Sequence, residues 1–193
     1  VLLRRRVLPA VQAPARGALR VYGIAVVAML ALFFLMFTIL RDGSGAFWQT
    51  YVKIPVAIDA AVVDPKGNRD PSEMDDVLTM SYAGVLQDAL ARWTAENGVE
   101  IEGLKDSDYA GVFSNQARAQ LRNMVLQNPE LVGQTVEVPV LAASTIDGMF
   151  KGRVTEASAA IDKRTSVAQF QLANAMEERG ALATRFNWAF VTR

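Results

Sequence analysis

"VYGIAVVAMLALFFLMFTIL", Val21 to Leu40, decides how the rest of the chain is read. It is 20 consecutive residues without a charge. As a helix it would extend about 30 Å, the thickness of a bilayer's hydrocarbon core. A buried helix in a soluble core is the alternative, but such helices rarely run so far without a polar face. Arg20 and Arg41 bracket the stretch and can snorkel to the two interfaces. Tyr22 at one end, and Phe47, Trp48 and Tyr51 beyond the other, suit anchoring at headgroup depth. Residues 21–40 therefore read as a transmembrane helix.

Working outward, the charges split around this stretch. Arg4, Arg5, Arg6, Arg16 and Arg20 precede it with no Asp or Glu among them. Residues 41–193 hold the remaining 15 Lys and Arg of the chain's 20, against all 20 Asp and Glu, a net of −5. The positive-inside bias puts the basic N-terminus, residues 1–20, in the cytoplasm and everything after residue 40 outside, in the periplasm of a bacterium. A cleaved signal peptide is the rival, since Ser44-Gly45-Ala46 satisfies the small-x-small pattern. The apolar run is longer than the roughly 7–15 residues of a signal's core, and Arg41 and Asp42 interrupt the approach to the site, so a retained anchor is expected.

The outer region reads as a compact α+β domain, residues 51–193, joined through a juxtamembrane linker, 41–50, with a flexible joint at Gly43-Ser44-Gly45. "YVKIPVAIDAAVV", Tyr51 to Val63, is rich in β-branched residues and predicts a strand, at an edge or bulge because of Pro55. Asp70-Pro71-Ser72-Glu73 predicts a helix start, with Asp70 as N-cap and Glu73 closing a capping box. One helix would run from there to Asn97-Gly98, with Val77, Tyr82, Val85, Leu86, Ala89 and Trp93 inward. Ile101 to Ser114 is mixed, with one short turn. Ser114 would cap a helix through Gln127, with Leu121, Met124 and Val125 inward. Gln134 to Leu141 alternates valines and predicts a second strand, again at an edge because of Pro139. Ser144 to Asp147 starts a short helix ending near Gly152. Ser166 opens another, with Val167, Phe170, Ala173 and Met176 apolar, closed by Gly180. A last strand runs from Leu182 to about Val191, with Phe186, Trp188 and Phe190 alternating. The sum is three strands and four helices behind a single N-terminal transmembrane helix.

The chain contains neither Cys nor His. That excludes disulfides, thiolate catalysis, a Ser-His-Asp triad and any His-built zinc site. Glu73, Asp75 and Asp76 form one acidic cluster, and Asp106 and Asp108 another. The second lacks the Glu that would complete a calcium loop, and both read as solvated helix-start and loop carboxylates. No phosphate-loop motif occurs. "GMFKGR", Gly148 to Arg153, reads as a helix end whose cations favour the C-terminal dipole. Trp93 and Trp188 would be a binding platform or, more simply, core and interface packing. No catalytic residue, cofactor site or metal site is expected, and the chain is not expected to be an enzyme. The net negative charge of the outer region argues against nucleic acid and against attraction to anionic lipid.

Three phrases carry a family resemblance: "AFWQTYVKIPVAIDAAVVDPKGNRDP" (Ala46 to Pro71), "LRNMVLQNPELVGQT" (Leu121 to Thr135) and "ERGALATRFNWAFVTR" (Glu178 to Arg193). Following a basic start and one span, they resemble the N-terminal region of PstA-type permease subunits of phosphate ABC importers. In that form an extra domain without a known role lies between the first membrane helix and the rest of the permease. The resemblance implies import of inorganic phosphate across the bacterial inner membrane. Its implied partners are membrane lipid, a second permease subunit, ATPase subunits and a periplasmic phosphate-binding protein. The chain departs from the family in having one span and no cytoplasmic coupling loop; "EERGALA", Glu177 to Ala183, has the wrong spacing for one. The expectation is a fragment of a longer product, or a remnant, with the final strand leading toward a second membrane helix. The alternative is a single-span envelope protein whose outer domain binds another protein.

Overall fold

The computed structural model describes residues 13–161 and 165–187. The chain divides into two compact units, one through Ala46 and one from Phe47. The expected positions Trp188, Phe190 and Val191 and the arginines at 4–6 lie outside the described residues.

Among its described residues the first unit is built on one helix, α1, Ala13–Ser44. Within it Val21–Arg41 has a mean hydropathy of 2.7, and none of its most apolar window is buried inside the protein. Among the described residues it is the one helix long and apolar enough to cross a bilayer. Gly43 and Ser44 continue α1, and a 3-10 turn, Gly45–Phe47, follows directly. The segment expected to be a linker is thus helix, turn and the start of the first strand.

The second unit is built on a three-stranded antiparallel sheet in the order β2-β1-β3. β1 is Trp48–Ala57, β2 is Thr135–Leu141 and β3 is Leu182–Phe186. Alternation decides the faces. Val52, Ile54 and Val56 are fully buried, while Lys53 and Pro55 point the other way. Register places Val52 beside Val140, Ile54 beside Val138 and Val56 beside Val136, so the valine faces of β1 and β2 coincide.

Helices cover this apolar face. The long ones are α4 (Thr79–Glu96), α6 (Asn115–Gln127) and α9 (Val167–Glu178), which supply Tyr82, Leu86, Leu90, Leu121, Val125, Leu172 and Met176 to the core. Burying one Leu or Val side chain is worth about 1.5–3 kcal/mol, so these rows outweigh any single polar contact. Five short helices complete the layer: α2 (Ala60–Val63), α3 (Pro71–Met74), α5 (Asp106–Val112), α7 (Ser144–Phe150) and α8 (Glu156–Ile161). Ser114 and Ser166 cap α6 and α9 as expected, accepting from Ala117 N and Gln169 N.

Several expectations need correction. Tyr51 to Val63 is not all strand: β1 ends at Ala57, and Asp59 turns the chain into α2 by accepting from Ala61 N. The single helix from Pro71 is two. At the break Arg122 Nη2 donates to the backbone carbonyl of Asp75, the oxygen that a continuous helix would offer to Thr79 N. Asp70 caps α3 through Ser72 N, but Glu73 closes no capping box; it takes Asn68 Nδ2 and Lys66 Nζ. α5 and α8 fill stretches read as irregular or not read at all. In α9 the buried side chains are Ala168, Gln169, Leu172, Ala173 and Met176, while Val167 and Phe170 are half-buried.

The prolines are instructive. β1 is the central strand, not an edge. Lys53 N donates to Ala181 O on the β3 side, so the position of Pro55, two residues on, faces that side too. β3 pairs with β1 only from Trp48 to Val52, so no strand partner is there to miss the donor. Pro139 lies on β2, which is an edge strand as expected. Two residues on, at the same outer edge, Leu141 N donates to Gln120 Oε1 of α6, which covers that end of the edge.

Candidate functional site

A cleft of about 750 Å³ opens where β1 begins and β2 ends. Three chain segments build it. β1 brings Gln49 and Thr50, the α5–α6 junction brings Ser114 and Asn115, and the start of α7 brings Ser144, Thr145 and Asp147. The segments are tied by backbone bonds, Ser114 N to Leu141 O at 3.0 Å and Ala143 N to Val112 O at 2.8 Å.

Asp147 is the polar centre of this end. Ile146 beside it is fully buried and fixes the rotation of α7, which turns Asp147 toward β1. Its Oδ1 accepts from Thr50 N at 3.1 Å and Thr50 Oγ1 at 2.9 Å. Its Oδ2 accepts from Lys151 Nζ at 2.7 Å and Arg153 Nη2 at 3.3 Å. Thr50 is opposite Ala142, one residue past the end of β2, so the carboxylate takes up a ladder donor there. Lys151 Nζ also donates to the Trp48 carbonyl, so one amino group ties α7 to the first residue of β1.

This network bears on chemistry. A carboxylate with two cations and two Thr50 donors on it is fully engaged, and so is not placed as a base or nucleophile. Ser114 Oγ accepts from Ala117 N as a helix cap, with no imidazole or thiol in the chain to activate it. Among the described residues no group of three or more acidic side chains could hold a metal ion. The cleft offers hydroxyl, amide and backbone groups beside apolar ones such as Phe113 and Leu141, a lining suited to hydrogen bonding and apolar contact.

The sequence candidates fall elsewhere. Glu73 is bonded to Lys66 at 3.0 Å and to Asn68. Those contacts, Asn68's first, hold its carboxyl below the ordinary value. Asp75 pairs with Arg122 of α6 at 2.6 Å. Asp106 is exposed, but Asp108 is buried, which corrects the solvated reading. Asp108 accepts from Lys105 N at 2.9 Å and Ser166 Oγ at 2.7 Å, joining the starts of α5 and α9. The cations of Gly148 to Arg153 turn onto Asp147. Trp93 is 7% exposed and belongs to the core rather than to a platform. The Thr50–Asp147–Lys151 network was missed; the i, i+4 spacing of Asp147 and Lys151 was its one visible signal.

A family model described as a domain of unknown function (DUF3333) matches residues 15–160. The chain belongs to this family. No curated protein and no solved structure matches it. The DUF3333 stretch takes in the apolar helix, β1, β2 and the whole wall of the cleft, and stops before α9 and β3.

Proposed function

We propose that this chain is the membrane anchor and periplasmic domain of a permease subunit of a bacterial phosphate ABC importer. The N-terminus lies in the cytoplasm, the helix crosses the inner membrane, and the domain from Phe47 onward is periplasmic. The domain is a non-enzymatic docking element. The observation that carries the reading is an apolar helix with no burial inside the protein, followed by a separately compact domain whose one central carboxylate is already engaged. The arginine excess before the helix supports the orientation. The phrases Phe47 to Tyr51, Asn128 to Thr135 and Arg185 to Arg193 support the family of transporter.

The test is purification of the native gene product from membranes in mild detergent. A second permease subunit and the ATPase subunits should come with it. Recovery without them, from cells in which both are detected, overturns the importer reading. It would leave the alternative of a single-span envelope protein with a protein-binding domain.

A further inference from the structure

Among the described residues the core face of β1 outruns its cover. Along that face Val52 and Thr50 are buried, yet Trp48, next in line, is 48% exposed. Phe186 of β3 is its register partner. The Trp48 and Phe186 rings meet edge to face at 5.8 Å, and Phe47 stacks on Phe186 at 6.0 Å. Sequence pattern alone pointed to Phe47, Trp48 and Tyr51; the fold instead joins Phe186 of β3 to the first two, and makes those three a single aromatic knob.

We propose that this knob seats in the headgroup layer of the phospholipid bilayer, so that the sheet's end is a second membrane contact beside the helix. The proposal rests on the reading of Val21–Arg41 as a span. Chain length keeps that layer within reach. From Arg41 the helix continues to Ser44, and three residues later comes Phe47. At helical rise and then full extension, Phe47 lies within about 15 Å of Arg41. The headgroup layer on each side of the hydrocarbon is about 5–8 Å deep, so the knob is tethered within its reach. The Trp48 indole, an apolar ring with one N–H donor, is suited to that depth, and the two Phe rings add apolar area to it.

Charge agrees. Among the described residues, charged side chains carried by or bonded to this end of β1 and β3 include Lys151, Arg153, Asp147 and Arg185. That is a cationic excess within a region that is net acidic. Arg153 and Arg185 are exposed and suit anionic headgroups.

The experiment uses the full chain in vesicles of zwitterionic and anionic phospholipid, with bromines near the headgroup end of the acyl chains or near their methyl ends. Subtracting the emission of Trp48→Phe from that of the parent isolates Trp48 from Trp93 and Trp188. Headgroup-end bromines should remove roughly half of this difference emission, and methyl-end bromines much less. A control reads the span separately, because the chain has no cysteine of its own. The thiol of a Leu32→Cys variant should resist an impermeant maleimide until detergent is added. A shielded thiol with unquenched Trp48 overturns the knob and leaves the span standing. A thiol that reacts in intact vesicles defeats the span, and the knob with it.

Discussion

From Val21 to Arg41 every side chain of α1 but Thr38 is exposed, and nearly all are apolar. Along α4 the pattern is the reverse: Tyr82, Val85, Leu86, Ala89, Leu90 and Trp93 are buried against the sheet, and Asp88, Arg92 and Glu96 face out. Both are long helices rich in Leu, Val and Ala. One finds its apolar partners inside the protein, the other has none there. Two substitutions of the same kind separate them. Leu90→Ala should lower the unfolding free energy of the domain by about 2–5 kcal/mol, because Leu90 is fully buried and its neighbours cannot fill the gap. Leu32→Ala should leave that transition within about 0.5 kcal/mol of the parent. Denaturant titration followed by circular dichroism reads both, and an equal loss at the two sites would erase the distinction.

The complementary change acts on the other solvent. Leu32→Arg sets a charge at the middle of the apolar stretch and should cost about 2.5–3.5 kcal/mol of insertion. Alkaline extraction of membranes should then release a large share of the variant, while a matching Arg92→Leu on the exposed face of α4 releases none. Extraction of parent and variant to the same extent would mean that α1 does not rely on the bilayer.

The contrast also explains what could be read in advance. Val21 to Leu40 was legible as a candidate span because a small domain has little with which to bury 20 uncharged residues on all sides. The caps at Ser114 and Ser166, the valine alternation of β2 and most of the inner face of α4 are local patterns and were legible. The break between α3 and α4 was not, and Arg122, which bonds the Asp75 carbonyl at that break, sits 47 residues away. β1 looked like an edge strand because the length of β3, which leaves Pro55 without a partner to disappoint, is a tertiary fact. The cleft was illegible for the same reason: Thr50 and Asp147 are 97 residues apart. Aromatic alternation marked Phe186, but its position beside Trp48 required strand order.

Asp147 shows the polar side of the domain's self-sufficiency. Asp147→Ala removes the acceptor of Thr50 N and Oγ1 and of two cations at once. Thr50 is buried and Asp147 is partly open to water, so the loss should be about 1.5–3 kcal/mol of domain stability. Asp147→Asn keeps a carbonyl for Thr50 and should lose less. A variant as stable as the parent would mean that the network orders the cleft without holding the domain together.

The smallest effect sharpens the comparison at its weakest place. The Tyr82 hydroxyl of α4 is buried with no partner among the described residues, as is Arg122 Nε. A buried donor left unmade costs free energy that its removal returns. Tyr82→Phe should therefore stabilise the domain, by about 1 kcal/mol. The same residue sets a pH dependence. Burial pushes the Tyr82 phenol up from its ordinary 10.0, with Arg122 opposing and Asp75 adding. A folded value above the unfolded one means that the unfolded chain loses the proton first. The contribution is whole below the unfolded value and shrinks as pH rises through and beyond it. Stability of the parent should fall above pH 10.0 more steeply than that of Tyr82→Phe, the other tyrosines being common to both. Parallel curves, or a Tyr82→Phe variant that is less stable at neutral pH, would show that the hydroxyl is engaged and that α4 has no unmet partner at all.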